Sequence, residues 1–369
     1  MRAGRIMRLR ISEPHVTAYC TDAVASCVRR GELTQNGGEV VNVFERELAD
    51  LMNARHLVAC SSGTTALHLA LNVLKPQVVI APALTYVATI AAAYYVGARV
   101  RFIDVDDTWT MNPNHLREIL DEELGCSVAV LPVHLYGVCA DLTRILSITR
   151  PRGVFVIEDA AQALFSQHHG EFAGTFGNMG TFSFYANKLI TTGGEGGAVV
   201  TWDDAATDKL RFYRGQAQCP TKRYWHTDVG FNYRITAMQA AFGTAQLLTV
   251  KDVIRRRKVV GDVYRHAFTN VFDTQRVPEE CTQVDWLYTL LVPHGVHRDD
   301  VIARLDAEFD IETRPAFPSV ASMPPYRTLD PLPVTTDVAA RGISLPTHAE
   351  MTIEDAQRVV AAFLTCVGA

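Results

Sequence analysis

The chain has 369 residues, of which 48% are hydrophobic and 20% charged, with 24 glycines. This composition supplies a substantial apolar core and excludes a disordered chain, and the length predicts a soluble, globular protein with one large and one smaller domain. The formal net charge of -5 excludes a broad basic field, so we expect neither nucleic acid nor a membrane as a partner. An anionic substrate would need a dedicated pocket.

The N-terminal stretch Met1–Arg10 is basic, but the residues after it do not form the apolar core of a signal peptide. No later apolar run is long enough to span a bilayer. The eight cysteines show no Cys-x-x-Cys pair and no zinc-ligand spacing. We therefore expect a cytoplasmic, reducing location, mostly buried and reduced cysteines, and no metal site.

Five short apolar segments, separated by amphipathic stretches of helical pattern, predict the strands of a sheet. Such alternation favours a mostly parallel sheet with helices on both faces, which makes the chain an α/β protein. The predicted strands are Val78–Ile80, Val100–Val105, Val128–Val133, Val154–Ile157 and Ala198–Thr201.

A long helical pattern begins near Ala237 and continues into the charged stretch Lys251–Lys258. We interpret it as an arm between two domains, with a large domain over residues 1–245 and a small C-terminal α/β domain over residues 246–369. The later stretch Pro315–Pro333 carries aromatic residues among its prolines, which predicts an ordered loop.

The segment Ser61–Leu71 places a small polar turn directly before a helical apolar pattern. Free backbone N–H groups at a helix start, flanked by hydroxyls, form a seat for phosphate. The same residues also fit an ordinary Ser/Thr helix cap. His68, inside the apolar run, is expected to be a core residue.

Two carboxylates, Glu158 and Asp159, follow the predicted buried strand Val154–Ile157. Open α/β sheets place ligands at the carboxyl ends of their strands, so one of these two acids can face a pocket. The alternative is a solvated loop acid.

Alternation in Thr181–Asn187 predicts a strand that delivers Lys188 to the sheet edge beside aromatic residues. Partial desolvation there would favour the nucleophilic free amine. The glycine-rich segment Thr191–Gly197 fits neither a phosphate-loop nor a dinucleotide-binding pattern, and we interpret it as a tight turn close to Lys188.

In these segments and others the chain resembles the DegT/DnrJ/EryC1/StrS family of sugar aminotransferases. The resemblance implies fold type I of the pyridoxal 5′-phosphate (PLP) enzymes, the aspartate aminotransferase-like α/β fold. It covers nearly the whole chain, through Ser62–Thr64, Thr85–Thr89, Phe102–Asp106, Pro132–Gly137, Glu158–Ala163, Phe182–Phe184, Asn187–Lys188 and Gly230–Arg234.

The family resemblance implies a role for each matching residue around the cofactor ring. Lys188 would bond covalently to PLP, and Asp159 would pair with the pyridine nitrogen. Gln162 would contact the ring hydroxyl, while Tyr86 would stack on the ring face. Aromatic stacking and amide donors suit a flat anionic cofactor.

The same resemblance assigns the cofactor phosphate to Gly63, Thr64 and Ser183, with Ser62 beside them in the cofactor site. Asn232 would reach the phosphate of the neighbouring subunit's cofactor. The resemblance thus implies a homodimer with shared active sites.

A narrower resemblance points to family members that aminate C4 of GDP-4-keto-6-deoxymannose, with glutamate as donor. It rests on Arg214–Gln216, Arg223–Trp225, Val229–Arg234, Arg314–Pro315, Met323–Tyr326 and Leu345–His348. The residues that it assigns to the nucleotide-linked sugar are Arg223, Trp225, Arg314, Tyr326 and His348.

Two departures from the family pattern are visible. The turn after Lys188 contains an extra glycine at Gly193-Gly194, and Leu74–Gln77 is shorter than the usual loop. Two alternatives remain open: a PLP-dependent sugar dehydratase, disfavoured by the intact Lys188 and the scattered cysteines, and a non-catalytic regulator on the same fold. The nucleotide, and the choice between C3 and C4, also remain open.

Overall fold

The computed structural model describes residues 8–35, 38–123 and 125–369. The strands in these residues are β1 (His56–Cys60), β2 (Val78–Pro82), β3 (Arg99–Ile103), β4 (Val128–Val130), β5 (Phe155–Asp159), β6 (Gln167–His168), β7 (Glu171–Phe172), β8 (Met179–Ser183), β9 (Gly197–Thr201), β10 (Cys281–Thr282), β11 (Tyr288–Leu291), β12 (Arg314–Pro315) and β13 (Gly342–Leu345).

The helices are α1 (Ala18–Arg30), α2 (Val40–Leu51), α3 (Gly63–Leu74), α4 (Val87–Tyr95), α5 (Pro113–Glu122), α6 (Leu142–Thr149), α7 (Asp204–Arg214), α8 (Ala237–Leu247), α9 (Val250–Phe268), α10 (Arg298–Phe309), α11 (Pro333–Arg341) and α12 (Ile353–Val367). In the described part of the chain, no helix has the length and apolar character that crossing a membrane requires.

The central sheet has seven strands in the order β1-β9-β8-β5-β4-β2-β3. β9 runs antiparallel to both of its neighbours, and the other strands are parallel to one another. Every residue of β2 and β4 is buried, because helices cover both faces of a parallel sheet. The α/β fold predicted from alternating apolar segments is confirmed.

The long helical pattern near Ala237 is two helices rather than one. The chain leaves helical geometry at Thr249, where φ is -116° and ψ is 1°. Both the N–H and the hydroxyl of Thr249 donate to the carbonyl oxygen of Gln246, and such local bonds compete with the regular helical ladder.

The hydrophobic core changes along α9. Val250 and Val253 pack with the cluster under the large sheet, whereas Val260 and Tyr264 belong to the C-terminal cluster around β11 and β13. Leu9 packs with this C-terminal cluster, and its N–H donates to the carbonyl of Asp310. The boundary between residues 245 and 246 stays a prediction, although Leu9 shows that the N-terminal segment also contacts the C-terminal part.

Candidate active site

A cavity of about 490 Å³ opens where the carboxyl ends of β5 and β8 meet the start of α3. Side chains from both the large sheet and the C-terminal part of the chain surround it. The residues that line it are Ser62, Gly63, Thr64, Leu67, Tyr86, Ala88, Tyr136, Asp159, Ala161, Gln162, Ser183, Tyr185, Asn187, Lys188, Glu195, Trp286, Leu287, Arg314, Pro315, Phe317 and Ser344.

The start of α3 forms one wall of this cavity. Ser62 caps the helix: its Oγ accepts from the N–H of Thr65 at 3.2 Å, and the Thr65 Oγ1 accepts from the N–H of Ser62 at 3.0 Å. The first N–H groups of a helix have no acceptor within it, so the amides of Gly63 and Thr64 are suited to an anion. The same segment can therefore serve both as a helix cap and as a phosphate-binding site.

Gly63 allows the start of α3 to pack directly against Ser183. A Cβ built on Gly63 would lie 2.8 Å from the Cβ of Ser183, closer than two carbon atoms can pack. The start of α3 and the end of β8 are thus in contact, with the Ser183 side chain facing the same cavity.

The two acids at the end of β5 have opposite orientations, because successive strand residues point to opposite faces of a sheet. Asp159 lines the cavity with 6% of its surface exposed. Glu158 is fully buried behind it, where it accepts from His134 Nε2 at 3.0 Å and from the N–H groups of Gly174, Phe176 and Gly177. Glu158 is a structural carboxylate, which leaves Asp159 as the acid that faces a ligand.

Gln162 and Tyr136 form the floor beside Asp159. The Gln162 Oε1 accepts from the N–H of Tyr136 at 2.8 Å, so its NH₂ group is the donor left for a ligand. Tyr136 adopts a left-handed conformation with φ of 55°. At the adjacent Gly137 a Cβ would lie 1.9 Å from the carbonyl oxygen of Val284, so only glycine fits.

Lys188 does not lie at the end of a continuous strand, as the alternation of Thr181–Asn187 predicted. β8 ends at Ser183, and Lys188 follows in a turn in which its N–H donates to the carbonyl of Tyr185 at 2.9 Å. Among the described residues, 186–188 have no strand partner. The hydrogen-bond ladder of β8 therefore does not extend to Lys188. The predicted location beside aromatic residues is nevertheless correct.

The Lys188 amine lies against an aromatic face and near a carboxylate. Its Nζ is 4.0 Å from the centre of the Trp286 ring. Burial lowers the pKa of Lys188 to about 8, and the negative charge of Asp159 opposes this shift. A lysine with this pKa is partly in the free-base form near neutral pH, which suits a nucleophile and a proton carrier.

The glycine-rich segment forms the predicted tight turn beside Lys188. Gly193 and Gly194 have φ values of 85° and 145°, which disfavour other residues. The carbonyl of Gly194 accepts from the N–H of Ala186 at 3.0 Å. The extra glycine therefore lies in the turn that packs against the residues before Lys188.

Sequence reasoning missed Trp286, Leu287 and Phe317, which close the cavity from the C-terminal part of the chain. The Trp286 indole N–H donates to the carbonyl of Asn187 at 2.8 Å. The Tyr136 ring lies between the rings of Trp286 and Phe317, at centroid distances of 6.3 and 5.6 Å. No local pattern in the sequence marks Trp286, since its function depends on a partner 99 positions away.

The residues predicted to bind the sugar separate into two groups. Arg314 lines the cavity and contacts Glu312 at 3.4 Å. Tyr326 and His348 do not line it: the Tyr326 ring packs on Tyr94 at 5.0 Å, and His348 is 3% exposed in the interior. Their assignment to the sugar has no support from this geometry.

Arg223, Trp225 and Asn232 belong to the segment 215–233, whose residues do not line the cavity of their own chain. Trp225 is 52% exposed and contacts the Lys222 amine, and the guanidinium of Arg223 lies over the ring of Tyr224. The Asn232 side chain accepts from Arg234 at 2.9 Å. The predicted role of Asn232 at the neighbouring subunit's cofactor stays a prediction, as do the predicted contacts of Arg223 and Trp225 with the nucleotide-linked sugar.

The cavity fits PLP by its chemistry. It combines the glycine-lined amide seat of α3, a carboxylate for a pyridinium, an amide donor and a lysine of lowered pKa, while the ring of Tyr86, 56% exposed, supplies an aromatic wall. This fold and this site define a PLP-dependent enzyme of fold type I.

Comparison with known proteins identifies the family. The model of the DegT/DnrJ/EryC1/StrS aminotransferase family matches residues 15–364. GDP-perosamine synthases are similar over nearly the full length: that of Caulobacter vibrioides is 38% identical, covering 96% of this chain and 97% of the relative, and that of Escherichia coli O157:H7 is 34% identical, covering 93% and 94%. A DegT DnrJ EryC1 StrS aminotransferase structure from Brucella abortus superposes with a TM-score of 0.88 at 27% identity, covering 95% and 96%. The chain belongs to the DegT/DnrJ/EryC1/StrS family of PLP-dependent aminotransferases.

Proposed function

We propose that the protein converts GDP-4-keto-6-deoxymannose to GDP-perosamine, with glutamate as the amino donor. The observation that carries the aminotransferase chemistry is Lys188, whose Nζ lies over the Trp286 ring in the cavity that Asp159 also lines, with a pKa lowered to about 8. The choice of acceptor is supported by similarity to GDP-perosamine synthases at 38% and 34% identity.

Bound PLP supplies an electron sink that stabilises negative charge at the carbon from which a proton is removed. Lys188 would hold PLP covalently in the resting enzyme, and its Nζ would be free to carry a proton once an amine substrate is bound. The free Nζ would move the proton from Cα of glutamate to the cofactor in the first half-reaction, and a proton from the cofactor to C4 of the sugar in the second. Asp159, which lines the cavity, would balance the positive charge of the ring nitrogen.

Arg314 is the cationic residue that we assign to the nucleotide diphosphate. It lines the cavity from the C-terminal part of the chain. The planar guanidinium matches two phosphate oxygens better than a lysine ammonium does. Its ion-pair partner in the structure is Glu312, at 3.4 Å.

We assign the protein to the cytoplasm as a homodimer with shared active sites. The free cysteines of the described chain suit a reducing compartment. The segment 215–233 exposes Tyr224, Trp225 and Val229 by 78%, 52% and 78%, and Asn232 lies at its end. An exposed apolar surface of this kind favours burial against a second copy of the chain.

Product analysis by mass spectrometry tests this function. The purified protein, loaded with PLP and supplied with glutamate, is offered GDP-, UDP- and dTDP-linked keto sugars. We expect amination of GDP-4-keto-6-deoxymannose at C4, and no amino sugar from Lys188→Ala. A preference for UDP- or dTDP-linked acceptors would overturn the choice of substrate, and a product that lost a hydroxyl without gaining nitrogen would indicate a dehydratase.

A further inference from the structure

Three buried polar side chains form a hydrogen-bonded row beneath the cavity. The Thr89 Oγ1 donates to Asp159 Oδ2 at 2.7 Å, and Thr85 Oγ1 lies 2.8 Å from Thr89 Oγ1. Their exposed fractions are 1% for Thr85, 0% for Thr89 and 6% for Asp159. A hydroxyl has a single proton, and Thr89 gives it to the carboxylate, so Thr85 is the donor to Thr89.

The start of α4 brings both threonines to this place. Tyr86 is the N-cap residue of α4, and the N–H of Thr89 donates to its carbonyl at 3.2 Å. The same helical turn therefore places the Tyr86 ring in the cavity wall and the Thr89 hydroxyl against Asp159. Thr89 itself does not line the cavity, so it can influence a bound ligand only through Asp159.

Each oxygen of the Asp159 carboxylate has its own donor from a different part of the fold. Oδ2 accepts from Thr89 on α4, and Oδ1 accepts from the N–H of Ala161 at 3.2 Å. Two donors at fixed positions set the plane of the carboxylate. They also stabilise its negative charge in a buried site, where an unsatisfied charge is costly.

We propose that Thr89 is a positioning residue that orients the Asp159 carboxylate toward the pyridine nitrogen of PLP. Thr85 reinforces it, because each hydrogen bond in a chain polarises the next. This inference rests on the proposed role of Asp159. It predicts that the Thr89 hydroxyl matters only for a cofactor whose ring carries a nitrogen at that position.

The test compares equilibrium binding of PLP with that of its 1-deaza analogue, in which a C–H group replaces the ring nitrogen. Thr89→Val keeps the shape of the side chain and removes the hydroxyl. We expect it to weaken PLP binding by about tenfold, the size of one hydrogen bond to a charged group, and to leave binding of the analogue unchanged. Thr89→Ser should restore PLP affinity, and Thr85→Val should weaken it less than Thr89→Val does.

Equal losses for PLP and the analogue in Thr89→Val, or no loss at all, would overturn the proposal, since a purely structural defect cannot distinguish the two ligands. Asp159→Asn serves as the reference in the same assay. If Asp159→Asn retains the preference for PLP, the assignment of Asp159 is wrong. If Asp159→Asn loses the preference while Thr89→Val retains it, only the role of Thr89 is wrong.

Discussion

At Lys188, burial and charge act on the amine in opposite directions. Burial favours the neutral form and lowers the pKa to about 8, while Asp159 favours the charged form. The pKa of an unperturbed lysine is about 10.4. The amine reacts with acylating reagents only when neutral, so Lys188 should be labelled at a pH where ordinary lysines are still protected by their proton.

We predict that acylation of Lys188 in the cofactor-free protein is half-maximal near pH 8. Mass spectrometry of the peptide that contains Lys188 measures the rate as a function of pH. Asp159→Asn removes the charge that raises the pKa, so its half-maximum should move to lower pH. A half-maximum near that of an unperturbed lysine would show that Lys188 is not desolvated.

Arg314→Ala should raise the KM for the nucleotide-linked keto sugar by about tenfold or more, because a charge-assisted bond to phosphate is lost. The KM for glutamate should change little, since glutamate carries no phosphate. Glu312→Gln is the matched variant: it removes the partner at 3.4 Å and keeps the guanidinium. Equal increases in both KM values for Arg314→Ala would remove this residue from the sugar site.

Among the elements, α3 has the most direct connection between local sequence and site. Gly63→Ala should weaken PLP binding by about tenfold or more, because the added Cβ would lie 2.8 Å from that of Ser183 and must displace one of the two walls. Equilibrium binding measures the effect. Thermal unfolding of the cofactor-free variant is the control, since alanine is a better helix former than glycine. Unchanged PLP affinity would place the phosphate elsewhere.

The start of α3 and the strands of the sheet could be predicted from sequence because their signals are local. Ser62 followed by an apolar run marks a cap, and runs such as Val78–Ile80 mark buried strands. The end of β8 and the break at Thr249 could not be predicted in this way. At both places local hydrogen bonds interrupt the regular element: Thr249 donates twice to the carbonyl of Gln246, and the N–H of Lys188 donates to the carbonyl of Tyr185.

At the scale of the whole molecule, the cavity is completed by chain segments that are distant in sequence. Trp286 and Phe317 from the C-terminal part pack around Tyr136 beside Lys188. Family resemblance supplied the cofactor residues of the large domain, but these aromatic contacts arise from tertiary packing, for which a single sequence has no local signal. Resemblance can also mislead: His348 belongs to a motif shared with the family, yet it is buried in the interior and does not line the cavity.

Shared active sites can be tested by mixing two defective subunits. Lys188→Ala removes the lysine from its own site, and Asn232→Ala is predicted to damage the phosphate seat of its partner. In a mixed dimer, one site then combines the intact Lys188 of one subunit with the intact Asn232 of the other, while the second site carries both defects. When equal amounts of the two variants pair at random, about half of the dimers are mixed, and one of the two sites in each mixed dimer is intact. The mixture should therefore recover about a quarter of the wild-type activity per site.

Steady-state turnover after unfolding and refolding the two variants together measures this restoration. Each variant refolded alone is the control, and a mixture of Lys188→Ala with Lys188→Ala,Asn232→Ala should stay inactive, because every site then lacks the lysine. If Asn232 instead served its own subunit's site, every site of a mixed dimer would carry one defect and mixing would restore nothing. The exposed segment 215–233 would then need another explanation, while the roles of Lys188 and Asp159 in their own cavity would be unaffected.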